Sequence, residues 1–184
     1  YIASISNVLN YAVRKGLVES NPAKGLDLRP YGKKALKRRP FPEAMLQKLF
    51  QLELPDDIRM LWVILITTGM RLDEAALLSR SDIKVEKGIR YFDLTEALVK
   101  NAGSARKVPI PDVVIEPLDK YVKCRTSQRL FDFPLNADGK AQNAASKKSM
   151  RFIRKVTLDH ALVTHSLRHS FKDMCRDAGV PEDL

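Results

Sequence analysis

Ile83-Lys84-Val85-Glu86-Lys87-Gly88-Ile89-Arg90-Tyr91-Phe92-Asp93-Leu94 is where this 184-residue chain changes its hydrophobic period. Ile83 and Val85, then Ile89, Tyr91, Phe92 and Leu94, recur at strand-like spacing, and Lys87-Gly88 supplies a tight turn between them. Val99, Val108 and Ile110 predict a further strand pair around the turn Asn101-Ala102-Gly103-Ser104. Flanking segments follow the helical period instead. A small antiparallel sheet set into a mostly helical chain predicts an α+β fold, mainly α.

Upstream, Pro42 opens a short helix with Met45, Leu46, Leu49 and Phe50 on its apolar side. Asp56 or Asp57 is placed to cap the next helix, Ile58 to Thr68. Leu61-Trp62-Val63-Ile64-Leu65-Ile66 makes that helix apolar all round, which predicts the centre of the core. Gly69 should end it, and a helix from about Asp73 to Leu78 should follow. Downstream, helices are expected at about Asp112 to Arg125, Ala144 to Val156 and Ser166 to Ala178, with Phe131 to Gly139 a loop. In the Ala144 to Val156 helix, Ala145, Ser149, Phe152, Ile153 and Val156 share one face. Lys147, Lys148, Arg151, Arg154 and Lys155 crowd the other, as on a solvated face or one laid against phosphates.

At the other end, Ile2, Ile5, Val8, Leu9, Ala12 and Val13 recur at helical spacing until Gly16. Between Arg29 and Arg39 stand six basic residues (Arg29, Lys33, Lys34, Lys37, Arg38 and Arg39) and no acid. Pro22, Gly25, Pro30, Gly32, Pro40 and Pro42 punctuate the region, which reads as an extended, positively charged linker.

Lys and Arg number 32 against 22 Asp and Glu, a net charge of +10. Such an excess favours polyanionic partners through phosphate contacts and counterion release, although many unrelated domains are as basic. The longest apolar run, Met60 to Ile66, is far short of a membrane span. The two cysteines, Cys124 and Cys175, fit no metal spacing and no disulfide framework. With no signal-peptide pattern at the start, a cytoplasmic setting is expected. The chain opens at Tyr1 in mid-pattern, as an excised fragment would.

Three short motifs carry chemistry. In Thr68-Gly69-Met70-Arg71-Leu72-Asp73-Glu74 a glycine turn presents Arg71 near a helix start, with Glu74 three residues on. Taken alone, this is an ordinary helix-initiating turn with an Arg–Glu pair. In Val99-Lys100-Asn101-Ala102-Gly103, then Ser104-Ala105-Arg106-Lys107-Val108-Pro109-Ile110, a lysine sits at a hairpin tip, where charge commonly protects a sheet edge. In Thr164-His165-Ser166-Leu167-Arg168-His169-Ser170-Phe171, His165 and Arg168 can face one way at a helix start capped around Thr164 or Ser166. His165 and His169 have zinc-like spacing, but Ser166 stands where the zinc motif needs glutamate, so no metal is expected.

In this order the motifs resemble those of the tyrosine recombinases, or phage integrases: T-G-x-R-x-x-E, a hairpin lysine before a V-P-[IL] strand, and H-x-L-R-H-[ST]-F. The resemblance covers Phe41 to Leu184. It implies that Arg71 and Arg168 clamp a scissile phosphate, that Lys100 (or Lys107 in its stead) protonates the leaving 5′-hydroxyl, that His165 assists proton transfer and that Glu74 buttresses the site. Guanidinium forks suit that task, because they match phosphate geometry and stay charged. The resemblance further implies residues 1–28 as the end of a core-binding domain, 29–40 as a basic linker, and 41–184 as a catalytic domain cut off before its nucleophilic tyrosine. It implies double-stranded DNA as partner, a homotetramer on DNA at full length, no cofactor, and DNA integration through a 3′-phosphotyrosine. DNA contacts are expected from Lys33, Lys34, Lys37, Arg38, Arg39, Arg106, Lys107, Lys147, Lys148, Arg151, Arg154 and Lys155. The alternative is a non-catalytic DNA-binding remnant on the same scaffold.

Overall fold

The computed structural model describes residues 2–26, 36–94 and 105–181. The chain divides into two compact units, residues 1–36 and 37–184. In the first, helix α1 spans Ile2–Arg14. Gly16, at φ +68°, turns the chain in a conformation that side chains disfavour. Asn21 then folds the following segment back onto α1. Its amide donates to the Ser6 carbonyl, the Ser6 hydroxyl and Asn10 Oδ1, and its own Oδ1 accepts the Ala23 N–H.

The second unit is built around helix α3, Asp56–Thr68, with Ile58, Met60, Leu61, Trp62, Ile64 and Leu65 buried. Helix α2 (Glu43–Gln51) precedes it and α4 (Leu72–Leu77) follows. Helices α5 (Asp112–Lys123), α6 (Gln142–Val156) and α7 (Ser166–Asp177) complete the shell. Trp62 is fully buried, and its indole N–H finds the Ser149 hydroxyl of α6 at 3.1 Å. An apolar helix thus meets a polar position on its neighbour because one donor in the core needs an acceptor. Leu130, Phe131 and Phe133 are also buried, so the expected loop there is anchored to the core by its side chains.

The period change marks a three-stranded antiparallel sheet, β1 (Ile83–Glu86), β2 (Ile89–Leu94) and β3 (Arg106–Pro109), in that order. Lys87 and Gly88 form the turn with φ of 49° and 79°. β3 pairs with β2, Phe92 opposite Val108 and Leu94 opposite Arg106. Ile110 lies just past β3, yet its N–H reaches the Arg90 carbonyl at 2.9 Å. Val99 and the turn Asn101 to Ser104 lie outside the described residues.

The helix caps also differ. Pro55 is the N-cap of α3, and Asp57 accepts the N–H of its neighbour Ile58 at 2.9 Å and the Lys148 ammonium at 2.6 Å. Both aspartates instead sit in the first turn, where negative charge suits the helix dipole. Helix α7 is capped by neither Thr164 nor Ser166. Its N-cap is His165, and the Ser166 hydroxyl accepts the Val163 N–H at 3.1 Å. Gly69 does end α3, left-handed at φ +61°, with its N–H on the Leu65 carbonyl. Among the described residues, no helix is long and apolar enough to cross a membrane.

Candidate active site

Arg71 stands at the N-cap of α4, and the site is built around the buried carboxylate three residues on. Glu74 is 2% exposed. One oxygen accepts the Arg71 backbone N–H at 2.9 Å and the other accepts Arg71 Nη1 at 2.8 Å. From the sheet, Arg106 donates to the same carboxylate at 2.9 and 3.4 Å. Burial pushes the Glu74 pKa up, but the hydrogen bonds from Arg106 and Arg71 outweigh it and leave the group below its ordinary value. Glu74 is therefore ionised at neutral pH, and it orients Arg71, whose side chain stays half exposed.

Arg168, on the first turn of α7, donates to the Gly69 carbonyl. That bond joins the third motif to the first. Gly69 is needed there twice over: its φ is left-handed, and a Cβ would stand 2.2 Å from Phe171 Cδ1. Because Arg168 is held by a neutral carbonyl, its charge is not neutralised by that contact. Partial burial, then the nearby Arg71, lower its pKa, with Glu74 acting the other way.

His165 is exposed and packs edge-on against His169, ring centroids 5.0 Å apart. Partial desolvation, then His169, Arg168 and Arg71, hold its pKa below the usual histidine value. The ring is thus mostly neutral at pH 7 and able to accept or relay a proton. Arg38, Arg71, Leu72, Val163 and His165, with Gln142, Asn143, Ser146 and Met150 of α6, line an open groove of about 400 Å³.

The structure thus brings Arg71, Glu74, His165 and Arg168 into one neighbourhood. Lys100 lies outside the described residues, as do Lys33 and Lys34. Lys107 is elsewhere: it pairs with Glu86 and lies 5.1 Å from the Tyr91 ring centroid, and it does not line the groove. Arg38 and Arg39 reach the His160 carbonyl and Asp159. Lys37, Lys147, Arg151 and Lys155 are exposed, Lys155 with its ammonium 5.0 Å from the Phe152 ring centroid. Lys148 pairs with Asp57 at 2.6 Å. Arg154 donates to the carbonyls of Thr157, Asp159 and Leu162, all within 3.2 Å, so it fastens the turn after α6.

Three features of the site escape sequence reasoning. Arg106, on β3, is a partner of Glu74 on α4. Ser170 accepts the Phe41 N–H at 3.0 Å and so ties α7 to the start of the second unit. Asp73 Oδ1 accepts the N–H groups of Ala141 and Gln142 at 3.1 and 3.0 Å. Among the described residues, no group of three or more His, Cys, Asp or Glu side chains could hold a metal ion.

A mainly helical domain with an inserted three-stranded antiparallel sheet is the fold of tyrosine-recombinase catalytic domains. Residues 43–183 match the phage integrase family, and the chain belongs to that family. It is 26% identical over 183 residues to the tyrosine recombinase XerC of Shewanella sp. (strain W3-18-1), covering 92% of this chain and 56% of that relative. The chain therefore spans little more than half of that relative's length. The Tn1549 transposon integrase, solved in complex with circular intermediate DNA, superposes with a TM-score of 0.70 at 19% identity, over 99% of this chain and 66% of that one. A lambda integrase tetramer bound to a Holliday junction gives 0.66 at 16% identity, over 95% and 52%.

Proposed function

We propose that this chain is the phosphate-gripping part of a site-specific recombinase that breaks and rejoins duplex DNA through a 3′-phosphotyrosine. The convergence of Arg71 and His165 on one groove carries this reading, with Arg71 oriented by Glu74 and Arg168 bonded nearby to the Gly69 carbonyl. Attack on a phosphodiester builds charge on the non-bridging oxygens. Fixed guanidiniums stabilise that charge more in the transition state than in the ground state. His165 relays a proton, and Lys100 protonates the leaving 5′-hydroxyl. Lys107 is ill suited to that second role, because its hydrogen bond to Glu86 raises its pKa and makes it a weaker acid.

The nucleophile is none of the five tyrosines in this sequence. Tyr121 is buried, bonds the Leu130 carbonyl, and has a pKa pushed up to about 12 by desolvation. Tyr91 packs near Lys107, and Tyr11 lies in the first unit. Tyr1 and Tyr31 lie outside the described residues, and both precede all three motifs. Residues 1–28 serve as the end of a DNA-gripping domain, 29–40 as a basic linker and 41–184 as the catalytic domain. The full-length protein works as a homotetramer on DNA.

Titrating binding of a fluorescent duplex with salt tests the DNA assignment. Log affinity should fall linearly with log salt at a slope of about −0.9 per phosphate contact. A preference for single-stranded RNA would contradict the proposal. Duplex binding by a full-length protein that never cleaves would select the non-catalytic alternative.

A further inference from the structure

Helix α6 lines the groove with Gln142, Asn143, Ser146 and Met150, yet it begins without a cap of its own. Its N-cap residue is Ala141, which has no side chain to offer, and no acid lies in its first turn. The first N–H groups of a helix need partners from elsewhere. Asp73 supplies one: a single carboxylate oxygen accepts from both Ala141 and Gln142, across 68 and 69 residues of sequence. Asp73 also lies between Arg71 and Glu74 on the first turn of α4. One six-residue helix and its N-cap therefore hold the groove arginine, the glutamate that orients it and the cap of the facing helix.

We propose that Asp73 is a positioning residue for sequence specificity, fixing the first turn of α6 against Arg71 so that Gln142, Asn143 and Ser146 meet bases beside the gripped phosphate. This rests on the DNA reading above. Amide side chains suit the task, since asparagine and glutamine read adenine edges with paired hydrogen bonds. The exposed Lys147 and Arg151 lie farther along α6 and suit sequence-independent phosphate contacts. Loss of the cap should thus blur which sequences are held while leaving the electrostatic grip in place.

The test selects duplexes from a random-sequence pool with the 184-residue chain and its Asp73→Ala and Asp73→Asn variants. Hydrogen exchange at the Ala141 and Gln142 amides is measured in parallel. Asparagine caps helices about as well as aspartate, so Asp73→Asn should keep the wild-type pattern. Asp73→Ala should lose at least tenfold of the protection at both amides and most of the sequence enrichment, with its salt slope unchanged. Equal enrichment by Asp73→Ala and wild type would overturn the inference. So would enrichment of no sequence by wild type, or an Asp73→Asn variant as impaired as Asp73→Ala. A wild-type chain that binds no duplex at all would instead overturn the DNA reading itself.

Discussion

Glu74 sets the acid behaviour of the site. Its folded pKa lies below the ordinary 4.5, so its contribution to stability is present above pH 4.5 and is lost as pH falls through the folded value. Urea midpoints of the wild type should therefore drop below pH 4.5 more steeply than those of Glu74→Gln. Parallel curves would show that the Glu74 carboxylate does not govern acid stability. His165 adds to the effect nearer neutrality. Its folded pKa is depressed, so the unfolded chain takes up the proton first, and stability declines as pH falls below about 6.5. Among the lysines, replacing Lys100 by alanine in the full-length protein should abolish release of the 5′-hydroxyl strand, whereas Lys107→Ala should cut it less than threefold. The reverse order, scored on a denaturing gel, would reassign the proton donor. Arg71, Glu74, His165 and Arg168 were all legible as motif residues. The Arg106–Glu74 pair was not, because it joins β3 to α4 and nothing in the linear spacing of either residue encodes it.

At the scale of elements, periodicity located the helices of the second unit to within a few residues, since each must bury an apolar stripe against α3. Termini were less legible, because a cap can come from anywhere in space. Asp57 has the residue type of a cap but bonds Ile58 and Lys148 instead, and Asp73 caps a helix it does not belong to. In the basic stripe of α6, Arg154 donates to carbonyls of the turn that follows the helix, a pairing its spacing does not encode. The junction of α3 with α7 is the most sensitive contact. Gly69→Ala puts a side chain at φ +61°, costing about 1–3 kcal/mol in backbone strain. Displacing Phe171 adds about 1–3 kcal/mol of overpacking. Thermal unfolding should show that loss, and Phe171→Ala in the same chain should relieve part of it. Strict additivity of the two substitutions would mean that the rings and backbone there do not meet. Ser149→Ala should cost about 1–3 kcal/mol by leaving the Trp62 indole N–H without its acceptor.

For the molecule as a whole, charge pointed to a polyanion but could not choose among polyanions. The fold narrows that choice, because it gathers motif residues separated by some hundred positions around one groove. On the proposal above, this groove drives covalent chemistry on DNA in the full-length protein. The most direct measurement is trapping of the protein–DNA adduct on duplexes that the protein itself selects, followed by peptide mapping of the modified residue. The adduct should be a 3′-phosphotyrosine on a tyrosine outside these 184 residues. Adduct formation should fall at least about a hundredfold in Arg71→Ala and in Arg168→Ala, while duplex affinity changes less than tenfold. An adduct on any of the five tyrosines in this sequence, or adduct formed at the native rate by either arginine variant, would contradict it.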